Sequence, residues 1–196
     1  MNIKRVLIIR CGALGDLVYA TSVIDALKFE FGERTTIDFV CTPGSKMLFE
    51  ADNRVNNVYS LKHKKIPIIF SSQKKQIINS SKKRPYDLLI NFEMGKQFKS
   101  LVKNIVAEKK IGAFFDDINI PKDITHMVDI TKYLFKDIVS KEAFDKSFPR
   151  LIGSEIKFVK EKYKLPEKYI IISPSNSHQQ KIESIIVHGK MNHGKN

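Results

Sequence analysis

The apolar positions of this chain change period as they go, and each change marks an element. Val6 to Ile9 is a wholly apolar run, the composition of a strand buried on both faces of a sheet. From Leu17 the apolar positions recur at spacings of three and four, through Ala20, Ile24, Leu27 and Phe31. That is the stripe of an amphipathic helix, and Gly32 is placed to end it. Thr35–Cys41 reads as a second strand, Thr42-Pro43-Gly44 as a break, Lys46–Ala51 as a short helix and Val55–Leu61 as a third strand. Strand and helix alternate, which predicts an α/β protein with a parallel sheet covered on both faces.

The pattern continues less sharply. Ile66–Asn79 reads as helix, Ser80–Pro85 as a linker, Tyr86–Phe92 as a strand, Gln97–Ala107 as a helix and Ile111–Phe115 as a short strand. Ile124–Val139 carries Met127, Ile130, Leu134 and Ile138 on one helical face. Near Pro149 the character shifts. Glu155–Tyr163 is a charged helix with Ile156 and Val159 inward, Pro166 punctuates it, and Tyr169–Ile172 is a new buried strand leading into the polar turn 173–181. The domain reading is therefore residues 1–150 as one doubly wound, Rossmann-like unit. Residues 151–186 form a linker helix with the first strand and turn of a second, and 187–196 a disordered tail.

Composition narrows the class. The chain has 196 residues, 42% hydrophobic and 28% charged, the balance of a soluble globular protein. No apolar run approaches the roughly 18 residues of a membrane span, and the N-terminal run is too short for a secretory signal. Cys11 and Cys41 form neither a disulfide framework nor a CxxC pair, which fits a reducing cytoplasm and no metal. The net charge is +13, and Leu61–Arg84 holds eight Lys or Arg residues without an acid. Such a block favours a polyanion, though a solvated lysine-rich surface reads the same way. No nucleic-acid-binding motif accompanies it, so specific nucleic-acid binding is not expected.

The chemistry concentrates at two turns. Gly12, Gly15 and Asp16 follow the first strand, where backbone N–H groups at a helix start suit an anion or a closely approaching substrate. The spacing is neither G-x-G-x-x-G nor that of a P-loop. Asp16 lies at the carboxyl end of a strand, the ligand side of doubly wound sheets. It reads equally as a general base or as an acid that caps the helix, and the helix dipole disfavours the first reading by stabilising the carboxylate. At the second turn, Ser175, Asn176, Ser177 and Lys181 suit a diphosphate, although Ser and Asn are also ordinary turn formers. Glu93, just past the fourth strand, reads first as a solvated loop acid and second as a ligand contact. His126 reads as a helix-start histidine, and His188 and His193 have no metal spacing.

These residues resemble glycosyltransferase family 9, the heptosyltransferases of lipopolysaccharide assembly. Leu7-Ile8-Ile9-Arg10, Leu14-Gly15-Asp16 and the helix from Thr21 to Leu27 match the family's opening. Asn53–Tyr59 and the block from Tyr86 to Phe114 are similar to later family elements. SPSNSHQQK resembles the donor loop H-P-G-A-S-x-x-x-K, with Pro174, Ser177 and Lys181 matching outright. The resemblance implies the N-terminal half of a GT-B type fold. It implies transfer of a sugar, such as heptose from ADP-heptose, to a lipopolysaccharide or other glycan with inversion and without a metal. Asp16 would be the base, Gly12 and Gly15 would form the acceptor-side turn, and Asn176, Ser177 and Lys181 would hold the donor diphosphate. The basic segment would face an anionic lipid-linked acceptor or the inner face of the cytoplasmic membrane. After Lys181 the family's pattern stops, so the sequence reads as a shortened enzyme that does not transfer sugar alone. The alternative is a non-catalytic acceptor-binding or interaction module.

Overall fold

A computed structural model describes residues 2–62, 71–115, 121–153 and 156–168. The chain divides into two compact units, Met1–Gly153 and Ser154–Asn196. Among the described residues the first contains five parallel strands: β1 (Arg5–Ile9), β2 (Thr36–Cys41), β3 (Asn57–Ser60), β4 (Tyr86–Asn91) and β5 (Ala107–Gly112). Their order across the sheet is β3-β2-β1-β4-β5. β1 is central, with Val6 beside Ile37 on one side and Leu88 on the other. Because neighbours cover both its edges and both its faces, Val6, Leu7, Ile8 and Ile9 are all fully buried. Burial of each such side chain stabilises the fold by about 1.5–3 kcal/mol.

Side chains alternate across the pleat and seed two cores. Val6 and Ile8 meet α1 (Leu14–Ala20) and α2 (Ser22–Phe31) through Leu17, Val23, Ile24 and Leu27. The same side is covered by Phe135 of α5 (Met127–Phe135) and Phe144 of α6 (Lys141–Asp145). Leu7 and Ile9 meet Ile77 of α3 (Ser72–Lys83) and Leu101 and Val102 of α4 (Lys99–Asn104). The sheet is thus doubly wound, as its apolar strands require.

Several element boundaries differ from the sequence expectation, each for a local reason. The predicted single helix through Leu17–Phe31 is broken at Thr21. Its hydroxyl donates to the Val18 carbonyl (2.6 Å), and that of Ser22 to the Tyr19 carbonyl (2.9 Å), in competition with the helical ladder. Pro43 does not break the chain but opens a 3₁₀ helix, Pro43–Phe49, where its missing N–H costs nothing. α3 begins at a Ser71 cap and runs through the predicted linker to Lys83, because Ser81 is buried and its hydroxyl accepts the Val106 N–H (3.0 Å). The helix expected over Gln97–Ala107 is a 3₁₀ turn, Lys96–Phe98, followed by the shorter α4. β5 lies earlier than the predicted Ile111–Phe115. Its Glu108, Lys109 and Lys110 are tolerated because it is an edge strand. The long helix expected over Ile124–Val139 stops at Phe135, and Ser140 then caps α6 by accepting the Ala143 N–H (3.2 Å).

Two polar networks tie the sheet to its surroundings. Asp38, fully buried in β2, accepts from the Tyr86 hydroxyl (2.7 Å), Asn57 Nδ2 (2.8 Å) and Arg5 Nη2 (3.2 Å). Burial, followed by the hydrogen bond to Asp38 and then its charge, pushes the Tyr86 hydroxyl far above its usual range. On the helical side, buried Arg54 forks onto Asp52 through Nε (2.9 Å) and Nη2 (2.6 Å), and donates Nη1 to Asp25 (2.9 Å). Asp25 also receives Arg150 Nε (2.7 Å), and the Arg150 N–H donates to Thr21 Oγ1 (3.0 Å). These bonds fasten the segment around Arg150 to α2.

In the second unit, α7 (Ile156–Tyr163) matches the charged helix expected there, with Val159 half-buried and Phe158 and Tyr163 exposed. The strand expected at Tyr169–Ile172, the turn with Asn176, Ser177 and Lys181, and the tail lie outside the described residues.

Candidate active site

The strand order reverses between β1 and β4, so their carboxyl ends open a crevice where α/β sheets bind ligands. Backbone bonds continue past the strand ends: the Arg10 N–H donates to Val40 O, and the Phe92 N–H to Ile9 O, both at 3.0 Å. This extension carries Arg10 and Cys11 from β1, and Glu93 from β4, to the floor of the crevice.

Asp16 stands at the third position of α1, whose N-cap is Ala13, a residue with no side-chain acceptor. Its Oδ2 lies 2.6 Å from Arg10 Nη2, and its side chain is 41% exposed while that of Arg10 is 15% exposed. One edge of the carboxylate is therefore held and the rest faces solvent. Arg10 Nη1 donates to the Phe92 carbonyl (2.8 Å) and lies 3.7 Å from Glu93 Oε1. Glu93 Oε1 in turn accepts the Cys11 N–H at 2.6 Å. The result is one guanidinium between two carboxylates, one open and one nearly buried.

Glu93 corrects the sequence reading: it is not a solvated loop acid but a buried one. Asn91 fixes it. Asn91 Oδ1 accepts the Glu93 N–H and its Nδ2 donates to the Glu93 carbonyl, both at 3.1 Å. Asn91 Nδ2 also donates to Ala113 O (2.8 Å), which locks the end of β5 to the same point. Gly112 permits this approach. Its φ is +92°, and a Cβ there would be driven into the Asn91 carbonyl group, 3.0 Å from the carbon and closer to the oxygen.

The two glycines of the turn differ in surroundings. A Cβ on Gly12 would meet the Arg10 guanidinium at 3.2 Å, so Gly12 leaves room for that side chain. A Cβ on Gly15 would meet nothing, and the surface above the start of α1 is open. His126 supplies the carbonyl that accepts the Ile130 N–H at the start of α5, and its ring stands edge-on to Tyr19, with centroids 6.1 Å apart. Arg10 is the site residue that spacing alone does not single out. Its signal is a strand-end arginine immediately before the glycine turn.

Three other features take no part in the Arg10–Asp16–Glu93 contacts between side chains. Cys11 and Cys41 are buried free thiols; burial pushes Cys41 up to about 11, and burial followed by the Glu93 charge pushes Cys11 higher. A groove of about 510 Å³ follows β3, lined by Lys46, Glu50, Asn57, Tyr59, Gln73 and Gln76; it lies at the sheet's outer edge, two strands from β1. In the basic segment Lys74 is turned inward, with Nζ donating to Ser100 Oγ at 2.9 Å, and Lys75, Lys82, Lys83 and Arg84 are exposed. Among the described residues no helix is long and apolar enough to cross a membrane.

No protein-family model matches the sequence, and no curated protein matches it. Solved structures do. A family 9 glycosyl transferase from Veillonella parvula superposes with a TM-score of 0.67 at 15% identity, covering 85% of this chain and 52% of that one. The Escherichia coli ADP-heptose lipopolysaccharide heptosyltransferase II gives 0.59 at 15% identity, over 83% of this chain and 51% of that one. E. coli heptosyltransferase WaaC, in a structure with ADP-2-deoxy-2-fluoro heptose, gives 0.51 at 19% identity, over 83% and 55%. The chain spans about half the length of each of these proteins. Its parallel sheet and two helical layers are thus the α/β architecture of GT-B glycosyltransferases, and in fold the chain resembles the family 9 enzymes.

Proposed function

We propose that this chain serves the acceptor side of an inverting glycosyl transfer, with Asp16 as the base. The observation that carries the reading is the Asp16 carboxylate itself, placed at the switch point of the sheet, held on one edge by Arg10 and open on the other. In the step envisaged, Asp16 takes the proton of an acceptor hydroxyl as its oxygen bonds to the anomeric carbon of a nucleotide-sugar. The bond from that carbon to the diphosphate breaks, and the pair leaves with the nucleotide. A base that accepts a proton in the transition state contributes typically 10²–10⁴-fold.

The donor is a nucleotide-sugar, with an ADP-linked heptose the leading candidate because WaaC is seen with such an analogue. Asn176, Ser177 and Lys181 are the residues assigned to its diphosphate, whose charge a lysine and short hydroxyl donors suit without a metal. The acceptor is an anionic glycan. The exposed Lys75, Lys82, Lys83 and Arg84 are the surface offered to it or to anionic lipid, and Lys74 is withdrawn from that role by its burial.

The test is an assay of the purified chain with ADP-heptose and a heptose-deficient lipopolysaccharide, reading ADP release and, separately, acceptor binding. Asp16→Asn should abolish whatever release the unaltered chain gives and leave acceptor binding intact. Release that survives the substitution overturns the assignment of the base. Acceptor binding with no release from the unaltered chain fits both a shortened enzyme and the non-catalytic, acceptor-binding alternative, and binding of the nucleotide-sugar to the chain separates the two.

A further inference from the structure

We infer that Glu93 is a positioning residue for Asp16, acting through Arg10; the inference rests on the proposed role of Asp16 for its meaning but not for its test. Arg10 reaches Asp16 from the end of a strand, and a long flexible side chain in that position needs something to hold it. Two contacts and one space left open do so. The Phe92 carbonyl takes Nη1 at 2.8 Å, Glu93 Oε1 lies 3.7 Å from the same nitrogen, and the absent Cβ of Gly12 leaves the guanidinium its space.

Glu93 is suited to the task because its own placement is over-determined. Asn91 holds its backbone on both sides, and the Cys11 N–H holds its carboxylate at 2.6 Å. Its side chain is 11% exposed, so its charge is only weakly screened, whereas Asp16 is the open member of the pair. A charge argument supports the same assignment. When Asp16 takes a proton it loses its negative charge, and Arg10 would be left in a part-buried site with no counter-charge. Glu93 supplies one throughout, so the guanidinium stays in place while Asp16 passes between its two forms. Glu93 touches no reacting atom in this account.

Glu93→Gln separates charge from structure, because the amide oxygen still accepts the Cys11 N–H. The readouts are made on the full 196-residue chain, without any sugar. They are side-chain Nη–H exchange of Arg10, and the Asp16 χ1 rotamer measured from three-bond couplings. In the unaltered chain Arg10 should exchange slowly and Asp16 should hold one rotamer. In Glu93→Gln, Arg10 exchange should rise about tenfold, the factor that corresponds to about 1.4 kcal/mol, and the Asp16 couplings should average. Gly12→Ala, which crowds the guanidinium without altering any charge, should average the Asp16 couplings as well. Asp87→Asn, near the opposite end of β4 and bonded to the Lys4 and Arg5 N–H groups, should change neither. Unchanged Arg10 exchange and a single Asp16 rotamer in Glu93→Gln would overturn the inference, whatever becomes of the sugar-transfer assay. Loss of fold in Glu93→Gln would shift the decision to Glu93→Asp, whose shorter side chain keeps the charge but draws it back from Arg10, and a single retained Asp16 rotamer with unchanged Arg10 exchange there refutes it equally.

Discussion

Gly112→Ala is the substitution for which the structure gives the sharpest expectation. The residue ends β5 at φ +92°, a conformation that costs an alanine on the order of 1–3 kcal/mol. The new Cβ would also be forced against the Asn91 carbonyl, 3.0 Å from its carbon and 3.3 Å from the Asn91 nitrogen, and closer still to the oxygen. These are backbone atoms, so no rotamer change relieves the clash. The end of β5 must move from β4, which breaks the Ala113 N–H to Asn91 O bond (2.9 Å) and the Asn91 Nδ2 to Ala113 O bond (2.8 Å). At about 1 kcal/mol for each hydrogen bond, the loss comes to about 3–5 kcal/mol. Urea unfolding followed by circular dichroism reads this directly. With a slope of about 2 kcal/mol per molar, the midpoint should fall by about 1.5–2.5 M. Since Asn91 also holds Glu93, the Cys11 N–H should lose protection from exchange in the same variant. A midpoint shift below about 0.3 M, which at that slope is about 0.6 kcal/mol, would refute the argument that only glycine fits.

Three further outcomes are expected. Arg54→Met leaves the fully buried Asp52 carboxylate without its forked partner and should cost about 3–5 kcal/mol in urea unfolding; adding Asp52→Leu should recover much of that loss, and no recovery would argue against an uncompensated charge as the cause. Burial tends to raise Asp25, but hydrogen bonds from Arg150 and Arg54 prevail and hold it below its ordinary 3.8. A carboxylate depressed on folding stabilises the protein fully above its unfolded value and loses that contribution as pH falls through the folded one. Stability should therefore decline below pH 3.8, and Asp25→Asn, already lacking the contribution, should show a flatter acid limb. Dithionitrobenzoate at pH 8 should find neither thiol in the folded chain and both in denaturant, since burial raises Cys41 to about 11 and Cys11 beyond it; rapid labelling of Cys11 in the native state would contradict its burial beneath the turn.

What the sequence determined by itself is what short-range periodicity records. The apolar run at Val6–Ile9 and the mostly apolar stretches Ile37–Cys41 and Tyr86–Ile90 call for a buried sheet, and alternation with helices leaves a parallel sheet as the solution. Asp16 was legible for the same reason, because a strand, a glycine turn and an acid are neighbours in the chain. Local pattern failed where side chains answer to distant ones. Lys109 and Lys110 do not read as strand, and become one because β4 offers them an edge. Lys74 reads as a surface charge, yet packing of α3 on α4 turns it inward. Glu93 reads as a loop acid, yet it binds a backbone N–H 82 residues away. Whether Asp16 caps its helix or faces a ligand was equally open in the sequence. What the tertiary structure adds is the partner of its carboxylate, the Arg10 guanidinium, brought there by pairing β1 with β4. Contacts of that kind are set by sheet register, and register is a property of strands meeting across the fold rather than of any one stretch of chain.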